Sequence, residues 1–200
     1  MNFRIIILAL ALSLTLPLLA QTRDIAQSYA LESQADFTGS LEIMRELSAA
    51  DPQEPFYQMR IAWLEYLLGR YERSISSYRK AIGLRDNLDA RVGIINCHLA
   101  LGDYRLALSA TDSLLVEHRQ NPQLLAKAAY AAYLLKEHSL AADYYIRLIQ
   151  VYPWDMESRG YLVNNLYLAG RVDEARAEYR LLKKYYPLSG IVAQYKGVLE

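Results

Sequence analysis

A four-residue fragment returns at a nearly constant interval along the chain, and this periodicity constrains the fold more than any other feature. The third residues of its five copies are 34, 33, 34 and 34 positions apart. A fixed period of about 20–50 residues is typical of solenoids and other stacked-repeat architectures. The copies are Gln34-Ala35-Asp36-Phe37, Leu68-Gly69-Arg70-Tyr71, Leu101-Gly102-Asp103-Tyr104, Leu135-Lys136-Glu137-His138 and Ala169-Gly170-Arg171-Val172.

Each repeat consists of two helical runs around this fragment. Downstream, small and apolar residues recur at steps of three and four, which is the spacing of one helix face. Upstream lies a second run, as in Pro122 to Leu135, and proline ends three of the five copies at Pro52, Pro153 and Pro187. The first residue of the downstream face is small in every copy, so we expect it at the closest helix contact. These small residues are Ser40, Ser74, Ala107, Ala141 and Ala175.

On these residues and this period the chain resembles the tetratricopeptide-repeat family, and the resemblance covers about Thr22 to Pro187. It implies an all-α fold, a right-handed α-solenoid of about five helical hairpins plus a C-terminal closing helix. The early Trp typical of the first helix is missing, and Gln58, Arg91 and Arg159 stand there. Pentatricopeptide repeats share the hairpin plan and bind RNA, but the small-residue and proline pattern fits them less well. We place the repeats at about 21–53, 54–87, 88–121, 122–155 and 156–188, and the closing helix at 189–200.

Charge and composition exclude several classes of function. The chain has 22 Lys and Arg against 22 Asp and Glu, whereas a general nucleic-acid binder needs a basic face. A single cysteine, Cys97, excludes an intramolecular disulfide framework and a multi-cysteine zinc site. His98, His118 and His138 are twenty residues apart, which suits neither a metal pair on one helix nor a catalytic dyad. We therefore expect no catalytic residues, no metal and no cofactor.

The N-terminus is typical of an exported protein. One cation, Arg4, precedes an uncharged apolar run from Ile5 to Ala20, which predicts a signal peptide over residues 1–20. An uncleaved membrane anchor is the alternative, but the run is shorter than the roughly 20 residues of a spanning helix. We expect a periplasmic or secreted mature protein with no stable membrane span.

Aromatic and amide side chains recur at fixed positions of the first helix of each repeat. Since first helices of this family line a concave groove for peptides or partner helices, the resemblance implies a groove here. Tyr and Trp are typical of binding hot spots, although such rings also pack between neighbouring repeats. This family's best-known clamp holds a C-terminal carboxylate with Asn and nearby cations. Asn96 and Asn164 could occupy the Asn position, but Val92 and Gly160, one helical turn before them, offer no cation, so chaperone-tail binding is not expected. The expected partner-binding residues are Trp63, Tyr66, Asn96, Tyr130, Tyr133, Asn164 and Tyr167.

These observations predict a non-catalytic scaffold or adaptor that binds a protein or peptide partner in a bacterial envelope. Two alternatives remain open from the sequence. The chain could be the recruitment subunit of a secreted enzyme system, or a structural protein that self-associates through its apolar closing helix and uneven first copy.

Overall fold

The computed structural model describes residues 23–200, and the predicted signal peptide lies outside this range. Eleven helices and no strand occur within it. None of these helices combines the length and apolar character needed to cross a membrane. The helices are α1 (Ile25–Ser33), α2 (Phe37–Ala50), α3 (Pro55–Leu67), α4 (Tyr71–Leu84), α5 (Leu88–Leu101), α6 (Tyr104–Glu117), α7 (Pro122–Leu134), α8 (His138–Val151), α9 (Met156–Leu168), α10 (Val172–Tyr185) and α11 (Gly190–Gln194).

The first ten helices form five hairpins, and each helix packs mainly against its neighbours in the chain. Because no hairpin can bury its apolar face alone, stability comes from stacking each hairpin on the next. The largest buried cluster runs through the last three hairpins and into the C-terminal segment. Two smaller clusters fill the first half of the array.

The turn inside every hairpin has the same backbone conformation. Its second residue adopts a positive φ in all five copies, as Gly69, Gly102 and Gly170 but also as Ala35 and Lys136. The next residue donates its N–H to the carbonyl five positions earlier, as from Arg70 to Glu65 over 2.8 Å, which closes the end of the helix. Glycine is therefore favoured at this position and is replaced in two copies at a conformational cost.

The small residues of the second helices are buried within the hairpins, as expected for positions at a close contact between two helices. All five are fully buried. Where the residue is serine, its hydroxyl is satisfied across the contact, since Ser74 donates to the carbonyl of Ala62 on α3 over 2.7 Å. In the first hairpin Ser28 and Ser40 hydrogen-bond to each other at 2.7 Å. The polar residues of the first copy are therefore compatible with the same packing.

The C-terminal segment is less helical than the predicted closing helix over 189–200. Helix α11 ends at Gln194, and the chain continues in turns in which Gly197 has a φ of 78°. The segment still covers the end of the array, because Val192, Tyr195 and Leu199 are buried. It packs on α9 as well as on α10, the second helix of the last hairpin.

Candidate protein-interaction groove

The first helices of hairpins two to five, α3, α5, α7 and α9, line three adjoining cavities. The N-terminal cavity has a volume of about 450 Å³, the central one about 480 Å³ and the C-terminal one about 490 Å³. Asn96 and Gln123 line both the N-terminal and central cavities, while Ala126 and Tyr130 line both the central and C-terminal ones. The three cavities therefore form one continuous surface, which we call the groove.

Six of the seven predicted partner-binding residues line the groove. Trp63 lines the N-terminal cavity and Tyr66 the central one, while Tyr133 and Asn164 line the C-terminal cavity. The seventh residue, Tyr167, lines none of the three cavities. Its ring is half-buried against the ring of Tyr195, with 4.9 Å between the centroids.

At the N-terminal end, the aromatic rings are held by contacts within the protein. The indole N–H of Trp63 donates to Glu32 over 3.0 Å, and Arg60 forms an ion pair with the same carboxylate. The ring of Tyr66 stacks on that of Trp63, with a centroid distance of 5.8 Å and an interplanar angle of 13°. Burial raises the pKa of the Tyr66 hydroxyl. These two rings thus pack between repeats and present only part of their surface to the groove.

The middle of the groove contains a half-buried cation. Lys127 donates from Nζ to the amide oxygen of Asn96 over 2.5 Å. Burial lowers the pKa of the Lys127 ammonium, because the charged form is deprived of water. Among residues 23–200 no carboxylate forms an ion pair with it. A hydrogen-bond acceptor or an anion supplied by a partner would therefore stabilise the charged form of Lys127.

The C-terminal cavity is lined by tyrosines and amides and contains no formally charged side chain. Tyr130 and Tyr133 are 48% and 39% exposed, so both rings are open to a partner. Beneath them Tyr145 is buried, and its ring lies 5.7 Å from that of Tyr161. This cavity offers ring faces, hydroxyls and amides, the groups that can bind apolar side chains and peptide backbone.

The C-terminal segment closes this end of the groove. The hydroxyl of Tyr195 donates to the amide oxygen of Asn164 over 2.8 Å. Ile191 and Gln194 of α11 complete the cavity wall. The segment packs directly against α9, because a β-carbon at Gly160 would lie in ordinary van der Waals contact, at 3.4 Å, with a side-chain carbon of Ile191. Because the amide oxygen of Asn164 accepts the hydrogen bond from Tyr195, a partner would find that acceptor already occupied.

Several groove residues were missed from the sequence, although a periodic signal for them exists. Arg60, Lys127 and Tyr161 line the groove, and with Gly93 they occupy the same position in four successive repeats. This column directly follows the Met59, Val92, Ala126 and Gly160 column and was not recognised as part of the groove. Among the described residues, no group of three or more histidines, cysteines and carboxylates is placed to hold a metal ion.

Stacked helical hairpins whose first helices line one continuous groove define an α-solenoid repeat protein. Family models described as tetratricopeptide repeat match residues 25–89 and 161–189. Together with solved structures of the same architecture, these matches show that the chain is a tetratricopeptide-repeat protein, with the predicted right-handed α-solenoid fold. This fold supports a role as a protein–protein interaction scaffold.

The solved structures share the fold at low sequence identity. MamA from Desulfovibrio magneticus RS-1 is 13% identical, with a TM-score of 0.71, over 82% of this chain and 94% of that one. A tetratricopeptide-repeat protein from Parabacteroides merdae is 17% identical, with a TM-score of 0.75, over 88% and 70%. YrrB, described as having an unusual peptide-binding site, is 21% identical, with a TM-score of 0.61, over 72% and 75%. No curated protein matches the sequence significantly.

Proposed function

We propose that this protein is a non-catalytic adaptor of the bacterial envelope, and that its groove binds an extended peptide segment of a partner protein. The observation that carries the proposal is the continuity of the three cavities over four successive hairpins. An extended peptide presents backbone donors and acceptors along its length, and the groove offers amides and hydroxyls along its own. YrrB supports a peptide ligand by analogy of fold.

The chemistry of the groove changes along its length, which favours one kind of peptide. The N-terminal cavity includes Arg60, Arg85 and Asp89, and Lys127 lines the central one. The C-terminal cavity is uncharged, with two exposed tyrosine rings. A peptide that places an aromatic or aliphatic side chain between these rings and an acceptor group at Lys127 would match both the C-terminal cavity and the central cation.

The Lys127→Met variant tests the role of the central cation. We expect the free energy of unfolding to change by less than about 1 kcal/mol, because losing the bond to Asn96 is offset by removing a desolvated charge. Binding of a groove peptide should weaken by about tenfold or more, since a hydrogen bond to a charged group contributes about 1.5–3 kcal/mol. Lys80→Met, at an exposed position on α4, is the matched control and should leave both unchanged. Unchanged peptide affinity in Lys127→Met would show that Lys127 does not contribute to peptide binding.

The envelope location rests on the apolar run before Gln21. We expect protein isolated from its native cells to begin near Gln21 and to be recovered in the soluble periplasmic or secreted fraction. Intact-mass measurement checks this directly. A mass that includes Met1, in protein from the membrane pellet, would contradict export with cleavage.

A displayed library of random peptides, selected on the immobilised protein, provides a groove ligand without knowledge of the natural partner. We expect selection to converge on peptides that share an aromatic or aliphatic position and that bind one per monomer. Light scattering on the free protein checks the self-associating alternative, and a stable oligomer that masks the groove would favour it. Failure of selection to enrich any peptide would count against the proposed function.

A further inference from the structure

Outside the groove, the loops after α8 and α10 expose a cluster of aromatic and apolar side chains. Trp154 is 72% exposed and Leu188 is 94% exposed. The ring of Trp154 meets that of Tyr185 edge-on, with 5.3 Å between centroids, so the two loops form one surface. We define the loop surface as the side chains of Tyr152, Trp154, Tyr185, Tyr186 and Leu188.

The connection between repeats does not require these side chains. The residue directly before the N-cap of the following helix is Gln53, Asp86 and Gln120 in the first three repeats, and Trp154 and Leu188 in the last two. Polar residues thus form the same connection elsewhere in the array. Since a soluble protein rarely exposes contiguous apolar groups without a function, the loop surface indicates an interaction.

Cations flank the loop surface on both sides. A cavity of about 520 Å³ adjoins it at Val151 and contains Arg119 and Arg147, and Arg147 donates to the carbonyl of Arg119 over 3.1 Å. Within the described part of the chain neither arginine forms an ion pair with a carboxylate. On the other side, Lys184 lies over the ring of Tyr185 at 4.8 Å, and Arg180 follows one turn earlier on the same helix.

The arrangement favours a membrane over a second copy of the chain. Two copies meeting at this surface would bring the flanking cations together. Four of the five side chains lie in the two loops and Tyr185 is the last residue of α10, and all five are exposed. Trp and Tyr beside Lys and Arg are characteristic of the interface of an anionic bilayer.

We propose that the loop surface docks the protein on an anionic phospholipid membrane. The rings of Trp154 and Tyr186 and the side chain of Leu188 enter the interfacial region. Arg119, Arg147 and Lys184 bind the headgroup phosphates, which gives the two arginines an anionic partner. The groove is independent of this docking, so a peptide partner can bind at the membrane surface.

Sedimentation of the mature chain, from Gln21 to Glu200, with vesicles tests the proposal, because this chain lacks the apolar run of the predicted signal peptide. We expect binding to vesicles of equal parts phosphatidylglycerol and phosphatidylcholine, and little binding to phosphatidylcholine alone. The variant Arg119→Gln with Arg147→Gln should bind the anionic vesicles about thirtyfold more weakly, because each basic residue near such a surface contributes about 1 kcal/mol. The variant Trp154→Gln with Leu188→Gln should bind at least about tenfold more weakly. Glutamine is chosen because Gln53 and Gln120 occupy the equivalent loop position.

The controls separate this surface from other apolar segments. Leu106→Gln, at another exposed apolar position in the first turn of α6, should bind vesicles like the wild type. The Trp154→Gln, Leu188→Gln variant should bind a groove peptide normally, which distinguishes this proposal from the proposed function. In a Trp63→Phe background, where Trp154 is the remaining tryptophan of the two, brominated lipid should quench its fluorescence.

Three results would overturn the docking proposal. The first is no binding of the wild type to anionic vesicles, and the second is undiminished binding by both double variants. The third is fluorescence of Trp154 that brominated lipid leaves unquenched, which would place any membrane contact elsewhere in the chain. A shift in solution mass caused by the Trp154→Gln, Leu188→Gln variant, without vesicle binding by the wild type, would instead assign the surface to a protein contact.

Discussion

Replacing Ala175 by arginine is expected to destabilise the protein by at least about 4 kcal/mol, whereas the same replacement at Ala177 should cost less than about 0.5 kcal/mol. The two alanines are two residues apart on α10. Ala175 is fully buried where α10 packs on α9, and Ala177 is exposed. An arginine at position 175 overpacks this contact and also places an unpaired charge in it.

Urea unfolding followed by circular dichroism measures both variants under identical conditions. Because the substitution is the same, helix propensity and net charge change equally, and the difference in midpoint reports the cost of burying the arginine, which combines overpacking with an unpaired charge. Since the array is stacked from neighbouring hairpins, the last hairpin and the C-terminal segment should unfold first in Ala175→Arg. Equal midpoints for the two variants would show that the small-residue contact does not contribute to stability.

The combined replacement of Tyr130 and Tyr133 by alanine is expected to abolish most peptide binding while leaving the fold intact. Both residues are about half exposed or somewhat less, so losing their rings should cost little of the free energy of unfolding. In contrast, truncating a buried aromatic costs about 3–5 kcal/mol. Each hot-spot ring should contribute at least about 2 kcal/mol to binding, or about thirtyfold in affinity. The measurement is a fluorescence-anisotropy titration of a selected, labelled peptide, with a thermal melt of each variant.

Tyr152→Ala is the matched control for this experiment. The substitution is the same and the ring is 54% exposed, close to the exposure of Tyr130, but it lies outside the groove. We expect it to bind the peptide normally. If the double variant melts like the wild type and binds equally well, the exposed tyrosines do not form the site. If its melt collapses, they are core residues and the groove proposal loses its hot spot.

The repeat architecture was predictable because the same two physical constraints act in all five repeats. Close helix contact needs a small side chain, and a tight turn needs a residue that tolerates positive φ. Averaging over five copies makes both signals visible even where single copies depart from them, as at Ala35 and Lys136. Helix positions followed from the same averaging.

The groove was only partly predictable, because its surface depends on contacts that do not repeat. Periodicity places Asn164 and Tyr167 in line with Asn96 and Tyr133, but Tyr195 of the C-terminal segment engages both of them. That segment belongs to no repeat, so no internal copy reveals how it packs. Likewise, the partial burial of Tyr66 depends on its neighbours Trp63 and Tyr71. The exposed fraction of a groove residue depends on the side chains that pack against it, and its position in the repeat does not determine these.

Mapping a bound peptide on the wild-type protein tests most directly whether partners bind along the groove. A selected peptide carrying a photoreactive benzophenone at its aromatic position is bound, irradiated and located by mass spectrometry. We expect cross-links at α7 and α9, around Tyr130, Tyr133 and Tyr161, and competition by the unlabelled peptide. Cross-links confined to α6 and α10, which line none of the three groove cavities, would contradict groove binding, as would labelling that the unlabelled peptide does not reduce.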